Sequence, residues 1–318
     1  MRRRVWPLWW SASLYTNKLK DAGLLARGPA LFKKGRTSMA VITCKMRSES
    51  LQTMTEVRVY YPCDLPAAVG SEVKGVVTLL HGFTNDSESW QDFTAAIRYA
   101  ADNGLALVMP DASNSFYQDM VYGGAYYTWL TQEMPALLGK MLRLPAEREK
   151  NFICGLSMGG YGALLLALRE PGRYAACASF SGAVDVGLML AAKEQAPAVG
   201  LVFGPVFGPE LALPEQADLY RLAEKVSRLP RAQQPRILCT VGRQDHAPYF
   251  IYEQNARFCE FARRLPLDYT YMEWDGVHEW NFWDRSLVQA IDLFIQPGYA
   301  GKVQSGWAAP IQSRGANT

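Results

Sequence analysis

Histidine is scarce. The 318 residues contain three, His81, His246 and His278, so any site that needs an imidazole base draws on one of these. The six cysteines form no CxxC pair, which removes zinc-ribbon and dithiol redox chemistry, and a chain of this length needs no disulfide scaffold. Cys154, Cys177 and Cys239 lie in apolar runs and read as small buried hydrophobes, which suits a reducing cytoplasm. Charge is sparse as well, with a net of +3 to which the basic N-terminal stretch contributes. The nearly neutral body excludes a nucleic-acid partner and an anionic membrane surface. No apolar run approaches the roughly 20 residues of a membrane helix. Apolar residues are plentiful at 49%, enough for a large buried core in one large α/β domain or two ordinary ones.

The N-terminus imitates a secretory signal, with Arg2, Arg3 and Arg4 ahead of an apolar patch from Val5 to Trp10. Pro7 interrupts that patch, and Asn17, Lys18 and Lys20 stand where a small-residue cleavage site belongs. Strand-like patterning begins only after Met39. Codons for Lys33, Lys34, Gly35 and Arg36 are compatible with a purine-rich ribosome-binding stretch ahead of that methionine. Residues 1–38 are therefore expected to be a disordered extension or a mis-assigned start. Mass spectrometry of the native protein tests this: an abundant peptide spanning Ala30 to Ala40 overturns a start at Met39.

From Met39 short apolar runs alternate with longer amphipathic ones. Thr55–Tyr61 alternates like a half-exposed strand, whereas Gly75–Leu80 and Leu105–Met109 are continuous apolar runs, as strands buried on both faces are. Further strands are expected at Asn151–Cys154, Ala175–Phe180, Arg236–Val241 and Leu267–Glu273. Helical spacing appears over Trp90–Ala101, Thr131–Leu142, Gly160–Arg169, Asp218–Leu229, Phe258–Arg264 and Ser286–Ile295. This alternation predicts an α/β fold with a mostly parallel central sheet flanked by helices, over residues 39–296. The rhythm fails between Asp185 and Pro235, so a cap or loop insertion is expected around 187–230. The polar, Gly-rich tail, 297–318, reads as disordered.

Gly155-Leu156-Ser157-Met158-Gly159 is a G-x-S-x-G placed between a buried strand and a helix, the setting of a nucleophile elbow in an α/β-hydrolase. Ser157 is the expected nucleophile. His278 follows the last strand, as the order serine, acid, histidine requires. His81 ends an early strand in a turn suited to donating backbone N–H groups, and His246 directly follows Asp245, where adjacent side chains diverge. His278 is thus the base, by elimination. Asp245, on the loop after Arg236–Val241, is the acid of choice; Asp275, Glu279, Asp111 and Asp185 are its rivals. The backbone N–H groups of Met158 and Phe83 are expected to form the oxyanion hole. Loop aromatics at Phe116, Tyr117, Tyr126, Tyr127, Trp129, Trp280, Phe282 and Trp283 supply candidates for an apolar pocket; Tyr127, Trp129 and Trp280 are taken as substrate-binding. No Lys or Arg pair stands out as an anion clamp, so the substrate is expected to be uncharged near its scissile bond.

These segments resemble the esterase D-like esterases, closest to the tributyrin esterase branch. The marks are Leu79-Leu80-His81-Gly82, Val108-Met109-Pro110-Asp111, the Tyr126-Tyr127 run, Gly155 through Leu164, Gly242 through Asp245, and His278-Glu279-Trp280 followed by Phe282-Trp283-Asp284. The similarity spans about Met39 to Ile295 and is poor from Ala191 to Pro214. It implies a cytoplasmic serine esterase that takes small acyl esters of short chain length, with acetylated sugars or hydroxycinnamoyl esters among the substrates of relatives. S-formylglutathione hydrolases and mycolyltransferases look similar in outline. The former usually carry histidines around the serine, where this chain has Leu156 and Tyr161.

Acyl-enzyme chemistry of this kind needs no metal or organic cofactor. The composition leaves room for a homo-oligomer. Two other activities compete with simple hydrolysis: acyl transfer to an alcohol by the same machinery, and non-catalytic binding on a hydrolase scaffold. Reaction with an organophosphonate separates the last from the others.

Overall fold

A computed structural model describes residues 39–63, 73–191, 198–303 and 311–314; the N-terminal extension expected over 1–38 lies outside the described residues. Among the described residues nine strands form one sheet in the order β1-β2-β4-β3-β5-β6-β7-β8-β9. The strands are β1 (Met39–Ser48), β2 (Thr53–Pro62), β3 (Gly75–Leu80), β4 (Leu105–Pro110), β5 (Asn151–Leu156), β6 (Ala176–Phe180), β7 (Arg236–Gly242), β8 (Tyr269–Trp274) and β9 (Ile311–Arg314). Strands β3 to β8 pair in parallel, and β1, β2 and β9 run antiparallel at the two edges. All six parallel strands thus end on the same edge. That edge is where the loops carrying Ser157, Asp245 and His278 emerge.

The continuous apolar runs are explained by burial on both sheet faces. On β3, Val76 and Leu80 enter one core, while Val77 and Leu79 enter the other. The same alternation sends Ile153 and Cys177 to the first face and Phe152, Cys154, Ala176 and Ala178 to the second. Burial pushes the Cys154 and Cys239 thiols up to about 12, so they pack as hydrophobes.

The flanking helices are α1 (Ser89–Phe93), α2 (Ala96–Asn103), α3 (Tyr126–Thr128), α4 (Met134–Met141), α5 (Met158–Arg169), α6 (Val186–Ala191), α7 (Ala198–Phe207), α8 (Leu219–Ser227), α9 (Ile251–Ala262), α10 (Trp280–Phe294) and α11 (Tyr299–Val303). The insertion expected over 187–230 takes helical form, as α6, α7 and α8. The helix expected over Trp90–Ala101 is instead two. Its break at Thr94-Ala95 is fixed from afar: Asp284 accepts the Ala95 N–H at 2.8 Å and the Tyr99 hydroxyl at 2.6 Å. The helix expected at Thr131 starts earlier, because a π-helical turn, Trp129–Glu133, joins α3 to α4. Beyond Pro297, where the sequence suggests disorder, α11 forms and β9 pairs with β8. None of the helices among the described residues is long and apolar enough to cross a membrane.

Glu133, at the end of the π-helical turn, holds the β1–β2 turn against the body. Its carboxylate accepts the Ser48 hydroxyl at 2.7 Å, the Glu49 N–H at 2.8 Å and the Ser50 N–H at 3.0 Å. Burial pulls this carboxyl up, but hydrogen bonds from Ser50, Ser48 and Glu49 outweigh it and hold the group down at about 2. A folded-state value below the unfolded one stabilises the fold wherever the unfolded carboxyl is ionised. The contribution is complete above about pH 4.5 and is lost as pH falls towards about 2. Glu133→Gln is expected to lower the urea midpoint at pH 7, and the gap from wild type to narrow at pH 3; a gap independent of pH counts against the carboxylate.

Candidate active site

The turn between β5 and α5 is built for close approach. Ser157 adopts φ 54° and ψ −118°, a strained conformation for a residue with a side chain. Its backbone is tied on both sides, with the Ser157 N–H donating to the Phe180 carbonyl at 2.9 Å and the Ser157 carbonyl accepting the Ala183 N–H at 3.1 Å. The flanking glycines are required by contact. A Cβ at Gly155 meets the Gly159 carbonyl oxygen at 2.2 Å, and one at Gly159 meets the Leu80 carbonyl oxygen at 2.4 Å. The Ser157 hydroxyl is thereby raised, half-buried, at the sheet's C-terminal edge.

His278 and Asp245 come from the loops after β8 and β7. The His278 Nε2 lies 2.9 Å from the Ser157 Oγ, and its Nδ1 lies 2.8 Å from the Asp245 Oδ2. Asp245 is buried, so its carboxylate meets the imidazole away from solvent. Hydrogen bonds stitch the two loops together. The Arg243 N–H donates to the Trp274 carbonyl at 3.0 Å, the Gln244 N–H to the Gly276 carbonyl at 3.1 Å, and the Gly276 N–H to the Gln244 Oε1 at 2.7 Å. Gly242 permits this, since a Cβ there would stand 2.3 Å from the Gly276 oxygen.

Three of the four rival carboxylates are engaged elsewhere. Asp275 accepts from Arg243 at 3.0 Å and lies well exposed. Asp185 pairs with Arg257 at 3.2 Å and accepts the Tyr220 hydroxyl at 3.1 Å. Asp111 caps the Ser113 N–H at 2.9 Å, and Glu279 is exposed at the start of α10. His246 pairs with Glu253 at 2.7 Å.

His81 is buried and structural. Its Nε2 accepts the Ala112 N–H at 2.9 Å, which puts the ring proton on Nδ1, 2.7 Å from the Gly82 carbonyl oxygen. The Tyr117 hydroxyl donates to the His81 carbonyl at 2.6 Å. These bonds fix the His81-Gly82-Phe83 turn beside the elbow, so closely that a Cβ at Gly82 comes 3.5 Å from the Ser157 Cβ. Phe83 is half-buried there, and Met158 opens α5, whose N-terminal dipole favours negative charge.

Two of the aromatics expected to bind substrate are engaged elsewhere in the fold. The Tyr127 hydroxyl donates to Glu170 at 2.7 Å and its ring lies 3.4 Å under the Arg169 guanidinium. Both partners belong to the far end of α5, about 1.5 Å per residue away from Ser157 along its axis. Trp129 is completely buried in the core. Trp280 remains near the site: its ring meets Trp283 edge-on at 5.2 Å, and Trp283 meets His278 edge-on at 5.0 Å. Sequence reasoning missed Tyr249, 6.2 Å from the His278 ring, and Phe93, stacked on Trp280 at 5.1 Å. A tyrosine four residues beyond Asp245 carries a weak signal; Phe93 carries none, since its partner is distant in sequence.

Comparisons with known proteins identify the family of the chain. A family model described as Putative esterase matches residues 48–294. An acetyl esterase from Caldicellulosiruptor saccharolyticus is 26% identical over 264 residues, covering 80% of this chain and 97% of that protein. Two solved structures from Staphylococcus aureus are similar at 25% identity. The fluorophosphonate-binding serine hydrolase FphF has a TM-score of 0.71 over 81% of this chain and 98% of its own. The S-formylglutathione hydrolase FrmB has a TM-score of 0.68 over 81% of this chain and all of its own. The chain therefore belongs to this esterase family, as a carboxylic ester hydrolase on the α/β-hydrolase fold.

Proposed function

We propose that the protein hydrolyses short-chain acyl esters through an acyl-enzyme on Ser157. His278 takes the Ser157 proton as Oγ bonds to the acyl carbon, and the oxyanion that forms is met by the N–H groups of Phe83 and Met158. Collapse of that intermediate breaks the bond to the alcohol oxygen, which leaves with the proton from His278. Water then adds by the same route, giving up a proton to His278, and the carboxylic acid departs as Ser157 is reprotonated. Asp245 keeps the imidazole in the tautomer that presents a bare Nε2 to the serine.

The observation that carries this reading is the unbroken chain from Ser157 Oγ through both imidazole nitrogens to Asp245, at 2.9 Å and 2.8 Å. Shortness of the acyl group is supported by the rings beside the elbow. Phe116, buried, packs 4.7 Å from Phe203 and 6.4 Å from Phe83, which sets bulky rings beside the turn that carries Phe83. The acetyl esterase relative points the same way. A reducing, cytoplasmic setting suits the buried free thiols at Cys154, Cys177 and Cys239.

S-formylglutathione is the competing substrate, favoured by the likeness to FrmB. One experiment addresses both. An organophosphonate is expected to label Ser157 stoichiometrically, and p-nitrophenyl acetate and butyrate to outrun the octanoate. Absence of labelling overturns the acyl-enzyme, and preferential turnover of S-formylglutathione overturns the ester assignment.

A further inference from the structure

Among the large apolar side chains that stand in solvent, Tyr249 and Val277 flank His278, Phe250 follows Tyr249 in the chain, and Phe93 lies further out. Tyr249 is 54% exposed, Phe250 56%, Val277 46% and Phe93 59%. Tyr249 lies 6.2 Å from the His278 ring. A succession of rings also leads away from His278: His278 to Trp283 at 5.0 Å, Trp283 to Trp280 at 5.2 Å, and Trp280 to Phe93 at 5.1 Å, nearly parallel at 28°. Trp283 is buried, whereas Trp280 is half-exposed and Phe93 projects beyond it. Exposed apolar side chains that cluster, rather than scatter, mark ligand-binding or interaction surfaces.

The chemistry tells which part of the substrate does so. In the reaction proposed above, His278 returns its proton to the oxygen of the departing alcohol, so that oxygen lies against Nε2. Whatever the alcohol carries must then run past the neighbours of His278. In the same reaction the acyl oxygen is met by the N–H groups of Phe83 and Met158. Charge narrows the choice. Asp275, Glu279 and Asp92 are exposed on the same loops and helix ends, and Arg243 is already held by Asp275 at 3.0 Å and Glu273 at 3.5 Å. A carboxylate on the alcohol would meet repulsion there.

We propose that the alcohol half of the substrate is uncharged and carries an aromatic ring three to five bonds beyond the ester oxygen, held beside Tyr249 and on the Trp280–Phe93 stack. The spacing follows from the stack, because Trp280 stands two ring contacts from the imidazole and a ring bonded closer to the oxygen falls short of it. This inference rests on the proposed function and names the substrate class for the same site.

The test holds the acyl group fixed as acetate and varies the alcohol. In wild-type protein, kcat/KM for 4-phenylbutyl acetate is expected to exceed that for ethyl acetate at least tenfold. The acetate of 3-(hydroxymethyl)benzoate, which is anionic, is expected to fall below the uncharged benzyl ester by a similar factor. Phe93→Ala and Tyr249→Ala, at exposed positions where folding is unaffected by circular dichroism, each reduce the phenylbutyl-to-ethyl ratio threefold or more. A wild-type ratio near one, or one unmoved by both substitutions, overturns the proposal. Binding of 4-phenylbutanol to Ser157→Ala protein, followed by saturation-transfer NMR, separates this from failure of the esterase reading. Hydrolysis of simple acetates without alcohol binding sinks the aromatic shelf alone. Binding weakened by Phe93→Ala, in a protein that turns over no ester, upholds the shelf and sinks the chemistry.

Discussion

Ser157→Ala is expected to lower kcat by roughly 10⁴-fold or more, because a nucleophile and its base act as a unit and the loss of either removes most of the catalysis. Little else should change. The strained backbone at φ 54° is set by the glycines around it, and alanine keeps the Cβ that the elbow already accommodates. The hydroxyl's partner is His278 at 2.9 Å, and that imidazole stays bonded to Asp245. Thermal unfolding should therefore shift by only a few degrees, since about 1 kcal/mol moves a domain of this size by roughly 2–4 °C. Progress curves with p-nitrophenyl acetate and a melting curve check both halves. Near-native turnover with an intact fold refutes the assignment.

Asp245→Asn should cost nearly as much, on the order of 10⁴ in kcat, with the geometry preserved. Asparagine has the size of aspartate but presents an amide. If its N–H₂ faces the His278 Nδ1, that nitrogen must accept, the proton moves to Nε2, and the imidazole can no longer take one from Ser157. Asp185→Asn is the informative control. Its carboxylate pairs with Arg257 and Tyr220, binding the cap helices to α9, so its removal should reduce stability while kcat changes by a few-fold at most. Equal losses in the two variants argue against a distinct role for Asp245.

The parts of the site that could be read from the sequence are those set by local geometry. The glycines at 155 and 159 announce an elbow because only a backbone without Cβ atoms passes within 2.2–2.4 Å of the carbonyls there. Strand-end loops are legible for the same reason, since parallel strands deliver their following loops to one edge. With only three histidines, the base could be assigned by elimination. Illegible were features decided by partners far along the chain. Tyr127, Trp129 and Trp280 look alike as loop aromatics; Arg169 and Glu170 claim the first, the core encloses the second, and Phe93 leaves the third at the rim. The break between α1 and α2 depends on Asp284, and no local pattern marks it. The 187–230 region lost its rhythm because Pro205 sits inside α7 and the run is apolar throughout, so neither period stands out.

The stitching of the Gln244 and Gly276 loops has an evolutionary consequence. Asp245 and His278 ride on loops bonded to each other, so their mutual spacing is set within that pair of loops. A chimaera that swaps only one of these loops for a relative's should misalign both groups at once. Exchange of the pair as a single block should preserve the proton path, leaving that unit free to be inherited, or engineered, independently of the serine turn.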